Sequence, residues 1–466
     1  MRILATFSVA ALIAVSNPSA ARAPDLSTCD EAAAQFFDQL SQATQVAEND
    51  PAPAAAATPD AATPTAATPD ATAPAVTTPA PAADASAPPA TPTPDATAPA
   101  APATPLNIYS ETGSDKLAPA TAGALTRVYV PNHTSNTVTV IDPVTHKVIE
   151  TYPAGRGPQH IVPSFDLKTL WVANTANQTR QGSVTPIDPT TGKAGKQIPV
   201  NDPYNMYFTP DGAQAIIVAE AFKRLELRDA HTMALVSTIE TPTCLGLNHA
   251  DYSADFSYII FTCEFGGVAS GKHGQTPLKT GAGPGLIKVD LKAGKVVDSL
   301  TFTKPGMPQD VRLSPDGKTF FITDMINDGA FMVDAATFKE VGFIHTGKGA
   351  HGLNVSRDGK YLYVANRGSN RMPDRAGGPG SVTVINFETH AIEHTWMIPD
   401  GGSPDMGNVT VDGKELWLAG RYDGQVYAID TTSGAVTKIN VGIEPHGLTV
   451  WPQPGRYSLG HTGNMR

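Results

Sequence analysis

From Leu106 onward, apolar and polar residues alternate in short β-branched and aromatic runs, the period of two that predicts strands. Two phrases punctuate these runs at a period in the forties. The first is Ser/Thr-x-Asp-Gly between two strands, at Thr209–Gly212, Ser314–Gly317, Ser356–Gly359 and Thr410–Gly413. Looser forms begin at Ser164 and Ser253, and a last lies at Trp451. The second phrase is a strand ending in an acid or amide before a tight turn: Asp142, Asp188, Asp229, Asp290, Asp334, Asn386 and Asp430. Each series counts seven. Side-chain capping of the turn accounts for the second series without any chemistry. The two series interleave out of phase, so the last strand, His446–Trp451, lacks a blade, and the first two, Arg127–Asn132 and Thr137–Asp142, lack an inner partner. Joining them predicts an all-β, seven-bladed β-propeller, and closure removes the exposed strand edges that invite aggregation.

The pattern before Leu106 is different. Residues 1–23 start with Arg2, run apolar from Ile3 to Val15 and end in small residues, which reads as a cleaved signal peptide with Ala21 the preferred cleavage site. That run is too short to span a bilayer. Residues 24–50 hold one short amphipathic helix, over 28–48, with Phe36, Phe37 and Leu40 on one face as a candidate docking surface. Residues 51–105 are almost only Ala, Pro, Thr and Asp, a disordered linker that cannot bury a core and favours extended polyproline conformation. The propeller occupies 106–466, and the expected address is periplasmic or secreted.

Composition narrows the partners. The 466 residues are 17% charged, with 41 Gly and 41 Pro, which disfavours a helical bundle. A formal net charge of −11 argues against duplex nucleic acid as a partner. The three cysteines form no C-x-x-C-H, so covalent haem is excluded along with a cysteine-rich zinc knuckle. Cys244 precedes one inner strand and Cys263 ends the next strand, which makes them neighbours in a blade and a predicted disulfide in an oxidising compartment. Cys29 is left over. A monomer is expected.

Val128-Tyr-Val-Pro-Asn132, Leu170-Trp-Val-Ala-Asn174 and Leu362-Tyr-Val-Ala-Asn366 are variants of the Y-V-T-N tetrapeptide, and they recur with the Ser-Pro-Asp-Gly phrase and with Pro445-His-Gly447. On these motifs the chain resembles the secreted and periplasmic YVTN-repeat propellers, the YncE-like proteins, over roughly 107–453. The resemblance implies the fold and leaves the activity open. That superfamily includes binding proteins, surface proteins, lactonase-like enzymes and the d1-haem domain of a nitrite reductase.

Just before each expected inner strand stands a polar pair: Gln159-His160, Tyr204-Asn205, Asn248-His249, Gln309-Asp310, His351-Gly352, Asp405-Met406 and His446-Gly447. These ring one mouth of the central channel. His351, Asp405 and His446 share one register and come from consecutive blades, which makes them the candidate ligands for a divalent metal ion. His160, His249 and Asp310 fall one residue later, so alternation alone does not send all six to the axis. Polar groups at strand ends also commonly bond a neighbouring backbone, a purely structural role. Basic residues gather on the same face, at Lys223, Arg224, Lys272, Lys279, Arg367, Arg371, Arg375 and Arg421, of which Arg367 and Arg421 are best placed to hold a small anionic ligand. Two loop insertions, Gly266–Gly285 and Arg371–Gly380, enlarge this face. The leading expectation is a binding or interaction protein that takes a metal ion, an anion or a protein partner at the mouth. The rival is an enzyme: a metal-assisted lactonase or lyase, or a redox protein with non-covalent haem.

Overall fold

The computed structural model describes residues 106–177, 179–266, 283–369 and 377–466. The expected leader, helix and linker lie outside the described residues, as do Lys272, Lys279, Arg371 and Arg375 and most of both insertions. The chain forms seven antiparallel sheets of four strands. In six blades the strands run in chain order from the axis outward, starting at Pro158–Pro163, Pro203–Phe208, Leu247–Tyr252, Pro308–Leu313, Ala350–Val355 and Pro404–Val409. The remaining blade has Arg127–Asn132, Thr137–Asp142 and Lys147–Pro153, completed on the inside by Thr449–Trp451 from the other end of the chain. Arg127 pairs with Trp451 and Tyr129 with Thr449 across this seam. The inner strand is shorter than the sequence predicts because its first half is shared. His446 N–H donates to Pro131 on one side, while Gly447 N–H donates to Gln159 and its carbonyl accepts from Ile161 on the other. Val128, Val130, Trp417, Ala419, Leu448 and Val450 pack as one cluster across the closure.

The repeated phrases have local causes. In every Ser/Thr-x-Asp turn the hydroxyl donates to the Asp two residues on, as in Ser164 to Asp166 at 2.7 Å and Ser314 to Asp316 at 2.6 Å. The next residue turns with positive φ, at +70° in Gly212 and +74° in Gly317, which glycine adopts without penalty. Leu167 and Phe256 hold that position in the two looser copies, at 63° and 59°. The strand-ending aspartates cap their turns as expected, with Asp229 accepting from Thr232 N–H at 2.8 Å and Asp430 from Ser433 N–H at 2.7 Å.

The tetrapeptide asparagine is a bolt. Asn132 donates to Thr137 and Thr139, Asn174 to Ser183 and Thr185, and Asn366 to Ser381 and Thr383. Each amide thus pins its strand to the next one out. Asp324 occupies the matching place in its blade, where the facing residues are Gly329 and Phe331 and offer no hydroxyl. Its carboxylate instead accepts from the backbone of Ile326 and Asn327.

Cys244 and Cys263 form a disulfide with Cα atoms 5.0 Å apart. No helix among the described residues is long and apolar enough to cross a membrane.

Beyond the closing strand, residues 452–466 return beneath the wheel, at the ends of the inner strands opposite the polar pairs. Gly460 bridges Tyr207, and His461 N–H donates to Met206. Asn464 donates to Asp251, and Asn408 donates to Thr462. Arg466 binds Asp251 at 2.9 Å and the carbonyls of Tyr252 and Ser253. The tail therefore floors the channel.

Burial raises Asp324 to about 6, against the opposing backbone donors of Asn327 and Ile326. A raised acid favours the fold fully below its unfolded value and loses that contribution as pH climbs through the folded value. Between pH 4 and pH 7.5 the loss is on the order of 2–3 kcal/mol. Asp324→Asn removes it: the parent's unfolding free energy minus the variant's, read from denaturant midpoints at each pH, falls by that amount across the range, whatever trend the other titrating groups impose on both proteins.

Candidate functional site

Each of the six complete inner strands begins with an irregularity that decides where the polar pairs point. Pro158 pairs with Asn174, yet His160 pairs with Ala173. Leu247 faces Cys263 and Ala250 faces Phe261, and the same one-residue excess recurs after Pro203, Pro308, Ala350 and Pro404. Such a bulge breaks strict alternation and re-aims side chains. It resolves the offset in the sequence: His160, His249, Asp310, His351, Asp405 and His446 are all buried around the axis. The small residue after a histidine also has a cause. A Cβ on Gly447 would stand 2.1 Å from His160 Nδ1, so glycine there makes room for the imidazole of the next blade.

Asp405 organises one side of the well. Its two oxygens accept from Arg367 Nη2 at 2.9 and 3.0 Å. His351 Nδ1 lies 2.7 Å from Oδ1 and His446 Nδ1 2.5 Å from Oδ2. Burial opposes ionisation of Asp405, but Arg367, His351 and His446 outweigh it and hold the carboxyl well below the usual carboxylate range. Burial brings His351 down to about 4, with Arg367 adding to the effect, and brings His446 down to about 3 against the pull of Asp405. Both rings are neutral at physiological pH. With Nδ1 turned to the carboxylate, Nε2 is their free nitrogen. Asp405 thus stands behind the two imidazoles as an orienting partner, and its oxygens are taken by Arg367.

The other side holds a tighter group. The imidazoles of His160, His249 and His461 are buried with one ring nitrogen from each within 4.8 Å of the others. Their centroids lie 5.2 Å (His160–His249), 5.4 Å (His160–His461) and 4.4 Å (His249–His461) apart. His446 abuts His160 at 4.7 Å and His351 abuts His249 at 6.1 Å, so the five rings are contiguous. Asn205 Nδ2 sits between His249 Nδ1 at 3.1 Å and His461 Nδ1 at 2.7 Å. His461 Nε2 faces Asp310 at 3.4 Å. Neither nitrogen of His160 has a hydrogen-bond partner. Burial lowers His160 and His249 well below the ordinary imidazole value, each helped by neighbouring histidines, and lowers His461 as well.

Sequence reasoning found four of these five imidazoles and missed His461. It comes from the tail, outside the repeat frame, and the one signal was the fifteen residues, three of them glycine, continuing past the last strand. Glu264 was missed too. It follows Cys263 at the mouth, accepting from Gln309 at 3.3 Å and Asn248 at 3.4 Å. Asp310 does the structural work of a strand-end group as well: it accepts the next blade's Leu353 N–H at 2.9 Å and pairs with Arg312 at 3.0 Å. The two expected anion-binding arginines are nearly buried and already engaged. Arg367 holds Asp405, and Arg421 donates to Gln159 at 3.2 Å with Glu444 3.8 Å away. Arg224 is paired with Glu226, which leaves the outer basic cluster less available than its sequence suggests.

A closed seven-bladed wheel with imidazoles about its axis defines the class. A model of the YNCE-like beta-propeller family matches residues 100–259 and 344–454, and the chain belongs to that family. No curated protein matches it. Similar solved structures include a putative 6-phosphogluconolactonase from Bacteroides uniformis, at 15% identity over 69% of this chain and 98% of that one, TM-score 0.53. A functionally unknown protein from Desulfotomaculum acetoxidans matches at 14% identity, over 69% and 99% of the two chains, TM-score 0.51. The dihydro-heme d1 dehydrogenase NirN matches at 16% identity, over 70% and 75%, TM-score 0.50. These likenesses are of fold.

Asp405 and Arg367 neutralise each other in the interior, so removing one strands the other. Asp405→Leu is expected to cost about 3–5 kcal/mol. The double variant Asp405→Leu/Arg367→Met recovers most of it, as read from denaturant midpoints.

Proposed function

We propose that this chain is an exported propeller that binds one transition-metal ion of the zinc or copper class in its axial well, through His160, His249 and His461. One observation carries the reading: three neutral, buried imidazoles converge to within 4.8 Å, and His160 has no hydrogen-bond partner on either nitrogen. A buried polar group is ordinarily paired, and an unpaired one points to an ion or water that belongs there. Clustered imidazole suits zinc, copper, iron or nickel and disfavours magnesium or calcium, which want oxygen. The surroundings fit. Asp310 faces His461 from behind, the arrangement that fixes a ligand's tautomer and raises its basicity. The amide nitrogen of Asn205 lies between two ring nitrogens, in the region a cation would claim.

The metal set differs from the one the sequence favours. His351 and His446 keep their place beside the ion, but Asp405 orients them and supplies no free oxygen. Export rests on residues 1–23 and agrees with the Cys244–Cys263 disulfide, which persists in oxidising compartments. In this reading 24–50 and 51–105 are a leader and tether ahead of the wheel, and the protein works as a monomer that holds its ion and exposes the mouth to a ligand or partner.

Metal-stripped protein made without a histidine tag takes up close to one equivalent of Zn2+ or Cu2+ by calorimetry and elemental analysis. His160→Ala and His461→Ala each weaken uptake at least about a hundredfold, in line with loss of a ligand or its closest support. His394→Ala, on an exposed outer strand, leaves it unchanged. Uptake by the parent that is absent, or that survives both axial substitutions, refutes the reading.

A further inference from the structure

The ionic pairing around the well limits what can accompany a metal ion. Four carboxylates of the channel and mouth each face an arginine: Asp405 with Arg367 at 2.9 Å, Asp310 with Arg312 at 3.0 Å, Asp251 with Arg466 at 2.9 Å, and Glu444 with Arg421 at 3.8 Å. The side chains that surround the ion position are neutral imidazoles and amides. A divalent ion there brings two positive charges into a buried site whose own charges already cancel. Isolated charge in a poorly solvated interior is costly. Glu264 is the acid of the mouth whose described hydrogen bonds go to neutral amides, Gln309 and Asn248. It can offset at most one of the two charges.

The coordination count points the same way. Three imidazoles leave at least one position open on a four-coordinate ion, the arrangement found where a metal keeps an exchangeable ligand. The tail supplies His461 from below and closes that end, so the open position faces the mouth. Opposite stand His446, whose Nδ1 is hydrogen-bonded to Asp405 at 2.5 Å, and His351, whose Nδ1 faces the same carboxylate at 2.7 Å. Their Nε2 atoms therefore accept hydrogen bonds.

We infer that the well binds its metal together with a small, exchangeable monoanion coordinated to the ion. The ligand class is a compact anion able to donate a hydrogen bond to Nε2 of His351 or His446: hydroxide is the smallest member, and hydrosulfide or bicarbonate are larger ones. The inference rests on the proposed metal site and deepens it. It also moves the anion-binding role from Arg367 and Arg421, whose charges are paired, to the metal itself.

The test uses full-length protein loaded with one equivalent of Cu2+ or Co2+ and titrated with azide and thiocyanate in a chloride-free, non-coordinating buffer. Elemental analysis comes first, and failure to load is failure of the metal site. With metal bound, the expected result is a saturable new charge-transfer band and an altered electron paramagnetic spectrum. A loaded protein whose spectra ignore both anions overturns the inference while leaving the metal site standing. Glu264→Gln discriminates further. Removing the one offsetting charge is expected to tighten azide binding at least about fivefold, and unchanged or weaker binding overturns the charge argument. His351→Ala/His446→Ala keeps the metal but weakens bicarbonate or hydrosulfide relative to azide, which cannot donate. Equal effects on all three count against the assigned hydrogen bond.

Discussion

Hydrogen bonds between Thr449–Trp451 and Arg127–Tyr129 join the two ends of the wheel, and the rest of the architecture depends on that seam. A four-stranded sheet alone leaves two bare edges and one wet face. Seven of them in a ring bury each face on the next blade, and the closing strand commits the last face to the first. The seam also fixes the site. His446 sits just ahead of the closing strand, and Gly447 hydrogen-bonds both ways with the neighbouring inner strand that carries His160. If the ends part, two of the five axial imidazoles lose their alignment.

The fold was legible because its signals are local. A hydroxyl two residues before an aspartate, a glycine after it, and an acid at a strand end each set a turn whatever lies elsewhere in the chain. Repetition then counted the blades. The tetrapeptide asparagine belongs with these signals: its amide fits two hydroxyls on the next strand, and where those become Gly329 and Phe331 the amide becomes Asp324. The site was legible only in part, because its geometry is not local. Strict alternation would place His160 and His351 on opposite faces, and the bulges that bring both inward appear in the pairing register rather than in residue identity. His461 reaches the axis through a tail with no repeat to align it. The pairing of Arg367 with Asp405 joins residues 38 apart in sequence, and nothing in either local phrase announces it.

Neutrality is the electrostatic theme of the interior. Burial drives the imidazoles toward the uncharged form, and Arg367, Arg312 and Arg421 hold Asp405, Asp310 and Glu444 ionised. A protein built for stability alone could fill this axis with aliphatic side chains at no ionic cost. Keeping five imidazoles and the Asp405–Arg367, Asp310–Arg312 and Asp251–Arg466 pairs in the interior gives up that stability, with the disulfide at Cys244–Cys263 bracing the blade that carries His249 and Glu264.

The floor made by the tail turns the central passage into a dead end. Whatever enters must back out past the residues that admitted it, so capture and release share one doorway. Changes in bulk at Gln159 or Tyr204 would then slow or speed both directions together, altering how long a guest stays without altering which guest is preferred.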